Sequence, residues 1–162
     1  MPTVILDTDF LSAFLKIERL DLVRDLFRVE VVWIPPAVHR EIAQTDLLTR
    51  LVDTEWLEVV APDANLLSDL TQREAFQGLG AGEQECIALA LRHPDAMLLT
   101  NDNKARQVAA QQGLAVVNIP AFLLACKRAG MADRASLEAI VRDLQDKDHY
   151  EFRQEVLKAL LE

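Results

Sequence analysis

The chain has 162 residues, 51% of them apolar, and its 26 acidic and 17 basic side chains give a formal net charge of -9. That length and apolar content suit one domain whose core needs no disulfide or metal staple. The acidic balance excludes a protein that coats nucleic acid through its overall field, so contact with phosphate requires a bound cation, a local basic strip or a basic partner.

MPTVILDTDF lacks the basic and long apolar regions of a signal peptide, and no stretch reaches about 18 uncharged apolar residues. A cytoplasmic protein without a membrane segment is expected. Cys86 and Cys126 lie in apolar helical patterns with no CxxC spacing or histidine cluster, which predicts buried reduced thiols rather than a disulfide or a zinc site.

In chain order, TVIL before Asp7 reads as a strand and LSAFLKIERLDLVRDLF as the helix after it. VEVVWI from Val29 is a second strand, and Pro35 and Pro36 open a helix over PPAVHREIA. WLEVV from Trp56 is a third strand, followed by an amphipathic helix in ANLLSDLTQREAFQ. EQECIALALRH is apolar nearly all round, so it is expected deep in the core, with Pro94 ending it. AMLLT from Ala96 and LAVVN from Leu114 are strands on either side of NKARQVAAQQ, which Gly113 closes. Trp33 and Trp56 fall within strand patterns and read as core.

Alternation of this kind predicts an α/β fold with a mainly parallel central sheet flanked by helices. After Asn118 the pattern is helical only, in AFLLACKRAG, ASLEAIVRDLQ and YEFRQEVLKALLE. With no Gly, Ser or Pro-rich linker, the expectation is a single domain over 1–162, an α/β body over 1–120 with a helical tail over 121–162 packed on it. Apolar AFLLA and VLKALL, outside the sheet, lead us to expect a homodimer.

Asp7 and Asp102 each follow an apolar strand, at the carboxyl end where parallel sheets bind ligands. If the two strands are neighbours, about 4.8 Å apart, the carboxylates share one rim. Each alone reads equally as a turn former or helix N-cap. Glu83 starts an apolar helix on the face of Cys86, Ile87 and Ala90, either as a site acid or as a partner of the helix dipole. Glu41 shares a side with Ala37 and Val38, or simply decorates a short surface helix. His39, His93 and His149 are scattered, and no Ser, His and Asp set suggests a nucleophilic triad.

Taken together, VILDTDFLSAF, IPPAVHREI, LGAGEQECIALALRH and LLTNDNKAR resemble, in order and separation, the four motifs of bacterial PIN-domain proteins over about the first 120 residues. The segment from Gly113 to Leu144 resembles the helical end of a PIN subfamily related to VapC-like toxins. The resemblance implies a PIN-like three-layer fold and a metal-dependent endoribonuclease. It implies Asp7, Glu41, Glu83 and Asp102 as catalytic metal ligands, with Thr8 and Thr100 as polar neighbours. RNA is the implied substrate, and an antitoxin-like protein a candidate partner if the chain is the toxin of such a pair. Asp9 stands where the family usually has Asn or Ser, and reads either as a further carboxylate or as a backbone turn partner. Asn101 stands where close relatives often have a second Asp, which leaves one or two bound ions open.

An oxygen-only ligand set suits Mg²⁺ or Mn²⁺ rather than zinc, and such ions lower the pKa of a bound water and aim it at a phosphodiester. Arg40, Lys104 and Arg106 neighbour the acidic motifs, as phosphate contacts or as solvated helix surface. Two rivals stand beside the nuclease. One is a catalytically silent PIN-fold binding module. The other is a haloacid-dehalogenase-like phosphatase using the paired Asp of LDTDF, which would leave Glu41 and Glu83 idle and puts Phe10 and Leu11 where that chemistry wants other residues.

Overall fold

The computed structural model describes residues 1–162. Five strands, β1 (Thr3–Leu6), β2 (Val32–Ile34), β3 (Leu57–Val59), β4 (Ala96–Leu99) and β5 (Ala115–Val117), form one sheet in the order β3-β2-β1-β4-β5. Every pairing is parallel. All strands therefore end at the same rim, and each connection must cross the sheet through helix. From β1 the chain steps outward to β2 and β3, then returns to place β4 on the other side of β1. The crevice between the ends of β1 and β4 is thus the point where the strand order reverses, the usual ligand position in open α/β sheets.

Ten helices flank the sheet: α1 (Thr8–Lys16), α2 (Asp21–Phe27), α3 (Pro36–Ala43), α4 (Leu48–Asp53), α5 (Ala64–Thr71), α6 (Ala81–Leu91), α7 (Asn103–Gln111), α8 (Ile119–Arg128), α9 (Arg134–Lys147) and α10 (Gln154–Leu161). The α6 helix packs on β1, β4, α3 and α5, and Cys86, Ile87, Ala88, Leu89 and Ala90 are all buried, as its all-round apolar character requires. No helix is long and apolar enough to cross a membrane. Cys86 and Cys126 are buried free thiols. Trp33 and Trp56 are half-buried against the core, Trp33 edge-on to His93 and Trp56 under the Arg24 guanidinium.

Three elements depart from the sequence reading. The single helix expected over LSAFLKIERLDLVRDLF is two, because Glu18 takes a left-handed conformation (φ 56) and closes α1. The N–H of Glu18 donates to the Leu15 carbonyl and that of Arg19 to the Phe14 carbonyl, the paired bonds of a Schellman stop built without glycine. The helix expected over ANLLSDLTQREAFQ stops at Thr71 and resumes as a single 3₁₀ turn, Glu74–Phe76, which buries Phe76 completely. The α4 helix, only six residues long, gave no periodic signal.

The tail joins the main core. Phe122 of α8 meets Phe10 and Phe14 of α1 edge-on, with ring centroids 5.5 and 5.4 Å away, and Phe10 stacks on Phe14 at 4.9 Å. Leu137, Ile140 and Leu144 of α9 and Leu160 of α10 belong to the same apolar cluster as Val4 and Leu99. The apolar stripes that raised the expectation of a homodimer thus pack within the chain, where α10 lies against α8 and α9. Phe122→Ala is expected to destabilise the fold by about 3–5 kcal/mol, the usual cost of emptying a buried aromatic site. Denaturant melts followed by tryptophan fluorescence and by circular dichroism should move together. Separate transitions would show that the tail folds independently of the sheet.

Candidate active site

Pairing of β1 with β4 sets Leu6 opposite Leu99, and one residue further on the Asp7 N–H donates to the Leu99 carbonyl at 3.0 Å. The next residue of the neighbouring strand is then in reach. The Thr100 hydroxyl donates to Asp7 Oδ2 at 2.6 Å, while the Thr8 N–H donates to Oδ1 at 2.6 Å as Asp7 caps α1. Asp7 and Thr100 are the two polar side chains in the buried set, at 3% and 0% exposure.

The other acids are also held by local bonds. Asp102 caps α7, its Oδ1 accepting from the Ala105 N–H at 2.8 Å. Glu83 reaches back to the Gly80 N–H at 3.1 Å at the head of α6, half of a capping box, since Gly80 has no side chain to return the bond. The capping reading of both residues is therefore realised, and it leaves Glu83 Oε1 and Asp102 Oδ2 without a partner in the chain. Glu41 Oε2 accepts from the Thr8 hydroxyl, and its Oε1 is likewise unpaired. Thr8 thereby ties the acid of α3 to the acid of β1.

Two residues that the sequence reading passed over make this approach feasible. A Cβ on Gly82 would lie 3.2 Å from each Glu41 oxygen and 3.1 Å from the Thr8 hydroxyl, so the carboxylate of Glu41 rests in space that any side chain there would crowd. Glu85, two residues beyond Glu83, accepts from the Ala37 N–H at 3.0 Å. It caps α3, which begins at a Pro35 that has no side-chain cap of its own, and so couples the helix bearing Glu41 to the helix bearing Glu83. Sequence carried a signal for Gly82, a glycine inside a helix start, but none for a cap donated across 48 positions.

These acids share one field. Burial, the largest cause, raises Glu83, and repulsion from Asp102, Asp9 and Glu41 adds to it against the Gly80 bond. Asp9 is raised first by burial and then by Asp102, Asp148 and Glu41, with Lys16 opposing. Asp7 is pushed up to about 7 chiefly by burial, against the Thr100 and Thr8 bonds, with Glu83 and Asp9 adding to the rise. Cys86, whose thiol lies 3.5 Å from the Leu6 carbonyl behind the cluster, is raised well above its usual range by burial and by the same carboxylates.

The remaining expected residues are more dispersed. Asn101 turns away from the acids, its Oδ1 accepting from the Ile119 N–H and the Tyr150 hydroxyl, both at 3.2 Å. Arg40 lies 3.7 Å from Glu85 on the outer side of α3. Lys104 bonds the Gln77 carbonyl over Gly78, and Arg106 bonds Asn103 at 3.1 Å.

The family model DUF3368, a PIN domain, matches residues 3–162. The chain belongs to the PIN-domain family. No curated protein matches it. PIN domains are in general nucleases, and PIN nucleases usually use divalent metals. The match runs through α8, α9 and α10, so the tail that shares the core belongs to the matched region as well.

The residues of this PIN domain fit a hard cation by donor type: Asp7, Glu41, Glu83 and Asp102 offer only oxygen, three of them with an unpaired oxygen. No three side chains of His, Cys, Asp or Glu are gathered tightly enough to enclose an ion by themselves. Mg²⁺ seldom needs such a cage, since it keeps several waters and takes one or two carboxylates plus substrate oxygens.

Asp7 should also set a pH dependence in chelator-treated protein. With its folded pKa near 7 and an ordinary value of 3.8, the folded state holds a proton that the unfolded chain has lost between those limits. The favourable contribution is full below about pH 3.8 and declines as pH rises through about 7, above which a cost on the order of a few kcal/mol remains. Asp7→Asn should melt at or above the parent beyond pH 7, and the advantage should shrink toward pH 4. The Thr100 hydroxyl can rotate to accept from the new amide. Thermal melts across that range decide it, and a mutant that melts earlier at high pH would make Asp7 chiefly a structural hydrogen-bonding residue.

Proposed function

We propose that this PIN domain is a metal-dependent endoribonuclease that hydrolyses phosphodiester bonds of RNA at the crevice between β1 and β4. The observation that supports this most directly is the convergence of Asp7, Asp9, Glu41, Glu83 and Asp102 on one field at the strand-order reversal, with free carboxylate oxygens left over.

Asp7, Glu41, Glu83 and Asp102 would hold Mg²⁺ or Mn²⁺, which supplies a water of lowered pKa and positive charge for the phosphate oxygens. Thr8 and Thr100 orient Glu41 and Asp7 by donating to them, so each carboxylate presents a set edge rather than a rotating group. Burial keeps Asp7 costly as an anion until positive charge arrives, which favours occupancy by a cation over an empty pair of charges. Asp7 at 3% exposure with both oxygens bonded is poorly placed to attack a phosphate directly, which weighs against the phosphatase reading.

Purified protein should cleave single-stranded RNA with Mn²⁺ or Mg²⁺ and stop on chelation, and Asp7→Asn and Asp102→Asn should each lose orders of magnitude in rate. Metal at about a hundredfold over its dissociation constant should stabilise the parent by about 2.7 kcal/mol, and Asp7→Asn by less. RNA that is bound but left intact would favour the silent module, and an acid-stable phosphate ester on Asp7 would favour the phosphatase.

Gly82→Ala separates the site from the fold. The helical backbone gains up to about 1 kcal/mol from the alanine, offset by a crowded Glu41, so the melting temperature should hardly move. Cleavage should fall roughly tenfold to a hundredfold because Glu41 and Thr8 are displaced. Unchanged cleavage with unchanged stability would remove Glu41 from the catalytic set.

A further inference from the structure

Beyond the carboxylates, the same rim carries a polar cavity of about 420 Å³ that the proposed chemistry does not use. It starts at Asn101 and Asn103, on either side of Asp102, and extends toward the β5 side. Arg106 and Asn118 line it from the α/β body, and Tyr150 and Arg153 from the tail.

Two arginines and one glutamate are the charged groups of its lining. Of the twelve arginines, Arg19, Arg40, Arg50, Arg92 and Arg134 are in ion pairs and the other seven are not. Arg106 and Arg153 face one cavity and neither is in an ion pair, although the exposed Glu151 also lines it. Arg106 spends one N–H on Asn103, while its Nε is closed off from solvent with no acceptor at all. Tyr150 is raised chiefly by burial and further by Asp148, and is lowered by its Asn101 bond and by Arg106 and Arg153.

Asn103 is the first residue of α7, Asn118 caps α8 and Arg153 precedes α10, so the heads of three helices adjoin the cavity, those of α7 and α8 already capped by Asp102 and Asn118. Two guanidinium groups without a carboxylate partner, facing one polar cavity, suit an anion with several oxygens. The volume suits one nucleotide unit, not a folded segment.

We propose that this cavity is a backbone subsite for the substrate, in which Arg106 and Arg153 bind the phosphate of a nucleotide adjoining the one held at the carboxylates. It rests on the ribonuclease reading. A strand leaving Asp102 passes directly over Asn101 and Asn103 into the cavity, so the tail completes the substrate groove that the acidic body alone could not offer to RNA.

The test measures binding of a short fluorescent single-stranded RNA to the Asp7→Asn protein in Mg²⁺, with Arg106→Gln or Arg153→Gln added and Arg142→Gln as a control of equal charge on the exposed face of α9. Each cavity variant should bind about tenfold more weakly and reduce the slope of log affinity against log salt by about 0.7, the loss of one single-strand phosphate contact. Arg142→Gln should change neither. Arg153→Lys, which keeps charge but not the fork, should retain the slope with part of the affinity, and it decides the matter if the Gln variant melts early.

In parallel, side-chain ¹⁵N signals of Arg106 and Arg153 are followed while inorganic phosphate is added. Unchanged RNA affinity and slope in both Gln variants overturns the subsite, and the nuclease reading survives if the parent still cleaves. Phosphate that shifts both signals without any effect of the variants on RNA also overturns it, since the cavity then takes a free small anion. A parent that neither binds nor cleaves RNA overturns the nuclease reading together with the subsite.

Discussion

The parallel pairing of β1 with β4 brings the first acid of the chain, Asp7, beside a hydroxyl from a segment 93 positions away, Thr100. Nearly everything at the site follows from that contact. It sets Asp7 at the bottom of the crevice where the strand order reverses, and it brings Asp102 to the same rim two residues later. It also buries a carboxylate that the fold must carry either protonated or partnered by a cation. A site acid whose charge is costly in the empty protein is a site that favours positive charge.

The acids do not wait as loose side chains. Asp7 and Asp102 cap helices, Glu83 accepts from the Gly80 N–H at the head of α6, and Glu41 is gripped by Thr8. In each of Glu41, Glu83 and Asp102 one oxygen stabilises the local backbone or a neighbour, and the other remains free. Such anchoring lowers the entropy lost when a ligand arrives, which is the general benefit of a preorganised site. Gly82 and Glu85 serve the same end at one remove, by letting α3 approach α6 and by holding it there.

The tail has two roles that one set of helices can meet. Phe122, Leu137 and Leu160 fill the core shared with the sheet, while Tyr150 and Arg153, in the segment leading into α10, face the rim beyond Asp102. Asn101 links the two, since it accepts from the head of α8 and from Tyr150. In a chain of net charge -9, Arg106 and Arg153 are brought together on one cavity by the fold.

Local sequence determined the elements and much of the site. Strand and helix alternation, Pro36 opening α3 and Gly113 at φ +82 closing α7 are legible because they act within a few residues. Asp7, Asp102 and Glu83 stand out because they follow a strand or begin a helix, whereas Glu41, late in α3, is named only through the resemblance of the four motifs. What only the tertiary structure decided depends on residues far apart in the chain. The break at Glu18 is a left-handed stop that uses no glycine, so no residue type announces it. The Glu85 cap on α3, the rest of Glu41 against Gly82 and the gathering of Arg106 with Arg153 all join segments through the packing of helices, and no periodicity within one segment encodes the position of another. Composition averages over the whole surface, so it could not show that Arg106 and Arg153 line one cavity.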